Sequence, residues 1–231
     1  MTRLTNGQRY TCTTAATNAS GTSRESAKSS AVTIGELRRS GAPFGALISQ
    51  LRARSRQCVR VRFSEPTDVE PTSDERELLL RYLRLQREMV VASTVGLTED
   101  QARWRPDDRL IPVIGIVNHL THVEARWIDG AYARRPIARR SEVEFVVAGD
   151  RTLAEVVDEY AVRAETTERT VRAAPGLGAP CVGPPGLGRS EAGLSGLDLR
   201  WVLLHLIEET AHHAGHAEST REMLDGHRSG W

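Results

Sequence analysis

Arg200–Gly226 reads RWVLLHLIEETAHHAGHAESTREMLDG. The apolar positions recur at helical spacing and predict one long helix from about Asp198 to Asp225, with Gly226 at its C-terminal cap position. Five of the seven histidines in the chain lie in or just beyond this stretch: His205, His212, His213, His216 and His227. Glu209 stands four residues before His213, so both side chains share one helix face. That pairing is a common way to offer two ligands to a single metal ion.

Each residue turns an α-helix by about 100°, so directions can be compared. With Leu206 at the centre of the buried stripe, His213 lies about 20° away and Glu209 about 60°. His205, His212 and His216 fall about 80–120° off, at the flank. The two residues spaced to share an ion are therefore also the two that point inward. A carboxylate buried without a partner is costly, and a cation or an arginine would relieve that cost.

Working outward from this helix, three more emerge. The first is predicted from about Ser73 to Val95, with a capping box from Thr72 to Glu75. Its apolar positions are Leu78, Leu79, Tyr82, Leu83, Leu85, Met89 and Val90, and Gly96 ends it. Thr98–Gln101 opens a short helical turn. The second spans about Ile111 to Ala133, with Pro112 in its first turn and a stripe of Val113, Ile116, Val117, Leu120, Val123 and Trp127. The third starts at a Thr152–Glu155 capping box, runs to about Ala174, and turns Leu153, Val156, Val157, Tyr160, Ala164, Thr167 and Val171 inward. Pro175–Gly196 is a Gly/Pro-rich loop, placed to cover a site on the last helix. Its glycines do not match a phosphate cradle. Four long amphipathic helices and no convincing strand predict an all-α, four-helix bundle, an architecture that builds metal sites from facing helices.

On the second helix, with Leu120 as centre, His119 lies about 100° off and His122 about 160°. His119 can reach a seam between helices, whereas His122 faces solvent. Glu124 lies about 40° from the centre. It is expected either to orient a ligand or substrate, or to pair with an arginine. His119, Glu209 and His213 form the candidate metal triad. Three protein ligands leave a coordination position open, which is the catalytic arrangement. His212 and His216 are candidate contacts to a ligand or substrate.

The totals exclude several classes. The chain has 231 residues, 39% of them hydrophobic and 26% charged, and a net charge of +1, as in an ordinary globular protein without a field that would draw it to nucleic acid or membrane. No apolar run approaches the roughly 20 residues that span a bilayer. Cys12, Cys58 and Cys181 are too few and too scattered for a disulfide framework, which points to a reducing, cytoplasmic setting. Residues 1–62 are rich in Ser, Thr and Arg, with only Glu25 and Glu36 acidic and a basic run through Arg52, Arg54, Arg56, Arg60 and Arg62. They are expected to be a low-structure extension, joined by a polar linker at 63–72 to a bundle at 73–231.

The motifs NHLTHVEARW and HLIEETAHHAGHAESTREMLDG resemble the DinB-like superfamily, in particular its mycothiol-dependent transferases and maleylpyruvate isomerases. The resemblance covers about Ser73 to Gly226. It implies a four-helix bundle holding one divalent metal, zinc or nickel, on His119, Glu209 and His213. His212 stands where the family usually has Arg, Thr210 where it has an aromatic, and Glu218 where it has Asp. The isomerases that the chain resembles carry a further C-terminal domain, which favours a single-domain transferase here. The expected function is transfer of a low-molecular-weight thiol to an electrophilic small molecule, and a homodimer is compatible with the helix faces. The alternatives are metal-assisted hydrolysis on the same triad, and a ligand-binding or dimerising bundle without catalysis.

Overall fold

The computed structural model describes residues 43–55, 69–183 and 196–226. Helix α1 is Phe44–Ser55, α2 Glu75–Ala92, α3 the short Glu99–Arg103, α4 Val113–Glu124, α5 Leu153–Ala173 and α6 Leu199–Asp225. Helix α4 continues without a break into a π-helical stretch, Ala125–Tyr132. Among the described residues there is no strand, only an isolated bridge between Pro180 and Asp198. The all-α class agrees with the sequence reading. The four long helices close a ring of contacts: α2 on α6, α6 on α4, α4 on α5, and α5 on α2.

The caps show why the helices begin and end where they do. Thr98 and Thr152 form reciprocal capping boxes with Gln101 and Glu155, as expected. Asp198 caps α6 by accepting from the Trp201 amide, and Gly226 closes it in the left-handed conformation (φ 70°). The start of α2 differs from expectation. Asp74, not Thr72, is the cap, accepting from the amides of Arg76 and Glu77, while the Thr72 hydroxyl accepts from the Asp74 amide. A carboxylate at this point also faces the positive end of the helix dipole. Pro112 sits one residue earlier than predicted, as the residue preceding α4.

Phe44–Ser55 departs from the expected low-structure extension. Phe44, Leu47 and Ile48 are spaced to form one helical stripe, and all three are buried in the core. Phe44 meets Tyr160 of α5 edge to face, and the Gly45 amide donates to Glu165. The remainder of residues 1–62, with Arg56, Arg60 and Arg62, lies outside the described residues, as do 184–195 of the Gly/Pro-rich loop and His227. The described ends of that loop are tied down: the Cys181 amide donates to Leu197 O and the Val182 amide to Ala131 O.

The core forms two apolar clusters. One gathers Val90, Ile116, Leu120, Val157, Ala164 and Ala214; the other gathers Leu83, Val123, Trp127, Val171, Val202 and Leu206. Between them along the helices stand polar residues: Arg87 and Glu88 on α2, Thr167 on α5, Glu209, Thr210 and His213 on α6, with His119 and Glu124 flanking the boundary on α4. This layer positions everything functional described below.

Candidate metal centre

Helices α4 and α6 bring His119, Glu209 and His213 together, with one ligand atom from each lying within 4.8 Å of the others. His119 is 1% exposed and His213 is buried, whereas Glu209 is half-buried with 26% of its side chain exposed. The cluster is thus enclosed on the imidazole side and reachable on the carboxylate side. His119 Nε2 lies 3.5 Å and His213 Nε2 3.6 Å from the same oxygen, Glu209 Oε1. Both separations are long for hydrogen bonds.

The other nitrogen of His119 is committed. Nδ1 lies 3.1 Å from Glu144 Oε2, and an ionised carboxylate can only accept, so Nδ1 carries the hydrogen. In the neutral ring Nε2 is then a lone pair facing a carboxylate oxygen. Two acceptors confront one another, and a cation between them resolves the conflict. His213 has its Nδ1 buried without a hydrogen-bond partner among the described residues. Neither of its nitrogens is tied up by a strong protein hydrogen bond, so the ring is free to ligate. Two imidazoles and a carboxylate are a known donor set for catalytic zinc. On donor chemistry and on these uncommitted nitrogens the residues fit a divalent ion.

Glu144 was not anticipated from the sequence. It lies on a 3-10 turn, Glu142–Phe145, inside the connection between α4 and α5. Ser141 and Glu144 make a capping box there, a legible pattern within a segment that shows no periodicity. The turn is fastened to α4 along one face. Asn118 donates to the Glu144 carbonyl at 2.7 Å, and Phe145 stacks on the His119 ring with centroids 4.2 Å apart. A Cβ on Gly115 would come within 2.4 Å of the Phe145 carbonyl oxygen, so only glycine admits the turn at this depth. Arg126 donates to the remaining oxygen of Glu144.

The other predicted residues are distributed differently. Glu124 takes the arginine-pairing role of the two expected. It is 1% exposed and engaged by a bidentate Arg87, Nε to Oε1 and Nη2 to Oε2, both at 2.8 Å, and by the Thr167 hydroxyl at 2.7 Å. A carboxylate so enclosed is not placed to touch substrate. His212 and His216 are exposed, with ring centroids 4.4 Å apart, and both lie edge-on to His213. His122 is exposed as predicted. His205 stacks on Trp201 and meets Trp127 edge-on one turn before Glu209, and burial lowers its pKa.

On α2 the apolar count misjudged the inward face. Leu78, Leu79, Tyr82 and Met89 are only partly buried, while Leu80, Arg87 and Glu88 are fully enclosed. Among the described residues no helix is long and apolar enough to cross a membrane.

No characterised protein and no solved structure matches the chain. A family model described as mycothiol-S-transferase matches residues 78–226, more than half of the chain. The match spans α4, the Glu144 turn and α6, and so contains every residue of the cluster. The chain therefore belongs to the mycothiol-S-transferase family, a DinB-like family of helical proteins.

Proposed function

We propose that the protein is a divalent-metal-dependent mycothiol S-transferase acting on an electrophilic small molecule. The observation that carries the reading is the convergence of His119, Glu209 and His213 within 4.8 Å inside a chain of this family. A divalent ion held there would lower the pKa of a bound thiol and so supply a thiolate at neutral pH. Zinc suits the His₂Glu donor set, with nickel as the alternative.

The chain's own residues set the surroundings of that chemistry. His119 and His213 present nitrogen donors from the buried side, and Phe145 covers the His119 ring and keeps water from it. Glu209 supplies the anionic donor at the exposed side, where thiol and electrophile enter. His212 and His216 stand at that rim and contact substrate, and the family's usual arginine is replaced there by His212. Such chemistry belongs in the cytoplasm, where a small thiol is kept reduced.

Elemental analysis of the purified protein should find about one divalent ion per chain, and Glu209→Ala should lose it. Full occupancy in that variant would refute the site. The zinc-loaded protein is then given an aryl halide with and without mycothiol. Conjugation that depends on the thiol supports the transferase, whereas turnover without thiol replaces it by metal-assisted hydrolysis. Absence of stoichiometric metal leaves a non-catalytic bundle.

A further inference from the structure

Glu144 is buried, with 5% of its side chain exposed, and sits between two partners on the same face of the α4 segment. Its Oε2 accepts from His119 Nδ1 and its Oε1 from Arg126 Nη1. His119 and Arg126 are seven residues apart, so their Cβ atoms nearly align along the helix, and side chains lean toward the N-terminus. Arg126 therefore reaches back toward the carboxylate that touches His119.

The pairing is not the one that would best stabilise an isolated ion pair. A guanidinium and a carboxylate bind most strongly as a parallel fork, which is how Arg87 holds Glu124. Here Arg126 Nε is buried with no hydrogen-bond partner among the described residues, and the second oxygen of Glu144 is turned to the imidazole instead. The turn is locked in that orientation by the Ser141 box, by Asn118 and by the close approach at Gly115.

We infer that Glu144 is a positioning residue for the metal centre: it fixes the tautomer and ring plane of His119, so that Nε2 faces Glu209 and His213 as a bare lone pair. Arg126 compensates the charge of Glu144 and keeps its other oxygen occupied. The inference rests on the metal reading above for its consequence, but the tautomer itself is a property of the protein without metal. Outer carboxylates of this kind typically change metal affinity 10–100-fold when removed.

Glu144→Gln tests it with an isosteric side chain. Arg126 requires an acceptor, so the amide oxygen turns to it and the NH₂ faces His119. Nδ1 must then accept, and the hydrogen moves to Nε2, the ligating atom. Nitrogen-15 NMR of the histidine rings is recorded on the full metal-free chain, with the His119 signal identified by its loss in His119→Gln. The wild-type protein should show the Nδ1–H tautomer, and an Nε2–H tautomer there overturns the inference, whether or not the variant folds. Zinc dissociation constants are then measured by chelator competition. Glu144→Gln should bind about 10–100-fold more weakly at equal metal-free melting temperature. Wild-type affinity within twofold in the variant overturns the inference. Failure of the wild-type protein to bind zinc refutes the metal reading instead, and leaves the tautomer result to decide the role of Glu144.

Discussion

Glu124 and Glu209 lie in the same polar layer of the bundle, between the two apolar clusters, yet their surroundings differ in kind. Both oxygens of Glu124 are taken by the Arg87 fork, and Thr167 adds a third hydrogen bond. Arg87 is 0% and Glu124 1% exposed, and the pair leaves nothing for an external ligand to satisfy. Among the described residues Glu209 faces imidazole nitrogens, at 3.5 and 3.6 Å, and keeps a quarter of its side chain in solvent. The first carboxylate is structural because its charge is matched within the chain. The second is a candidate ligand because the groups around it are themselves donors to a cation. Inward direction alone does not distinguish them; the nature of the facing partner does.

The largest effect should come from breaking the closed pair. Arg87→Ala leaves Glu124 buried with an unmatched charge and should cost about 3–5 kcal/mol of stability, read by urea unfolding. Glu209→Ala should scarcely change the stability of the metal-free protein. Equal losses in the two variants would erase the distinction. The double variant Arg87→Met, Glu124→Leu sharpens it: it should cost less than Arg87→Ala alone, because no charge stays buried at position 124, while Glu168 loses its 3.4 Å contact with Arg87 and Thr167 its acceptor. Zinc occupancy should survive that double replacement and disappear in Glu209→Ala.

Next comes the ligand's own contribution. Zinc at about 100 times its dissociation constant should stabilise the wild-type fold by about 2.7 kcal/mol. The increase should be absent in Glu209→Ala and present at full size in the Arg87/Glu124 double variant. A zinc-dependent rise in melting temperature that persists in Glu209→Ala would place the ion elsewhere.

A smaller and more local effect is expected at Gly115. Its substitution by alanine drives a methyl group into the Phe145 carbonyl oxygen, a backbone atom that can move only with the turn. Overpacking of this sort costs about 1–3 kcal/mol. Because the turn carries Glu144, zinc should also bind more weakly although no ligand is altered. Unchanged zinc affinity in Gly115→Ala would mean that the turn has no part in holding His119.

These comparisons also show where the sequence was legible. His119, Glu209 and His213 could be selected because helical period fixes direction, and two of them share one helix. Helix α5 was read almost residue by residue for the same reason, since its stripe is apolar apart from Tyr160 and Thr167. Arg87 escaped because the face of α2 was judged from apolar residues alone, and a charged residue marks a buried position only when its partner is known. Glu144 escaped because it belongs to a turn without period, and its contact with His119 crosses 25 residues of sequence. Phe44, Leu47 and Ile48 had the right spacing, but the composition around them argued for a chain without a core.

The smallest effect concerns Cys181, the cysteine among the described residues. Cys181 lies beside the Pro180–Asp198 bridge, its amide bonded to Leu197 O at 2.8 Å and its side chain buried among Leu177, Leu197 and Leu199. Burial, with a smaller push from Asp198, raises its pKa from 9.0 to about 11. The folded state thus holds a proton that the unfolded state releases, so the stabilising contribution is complete below pH 9.0 and is lost as pH rises toward about 11. Urea unfolding of the wild type and Cys181→Ala between pH 8 and 11 should show a gap that changes only in the upper part of that range, with the wild type losing more. Parallel curves would mean that the thiol ionises as freely in the fold as outside it. A neutral, enclosed thiol is no nucleophile at pH 7. Cys181 is closed off as Glu124 is, whereas Glu209 keeps part of its side chain in solvent.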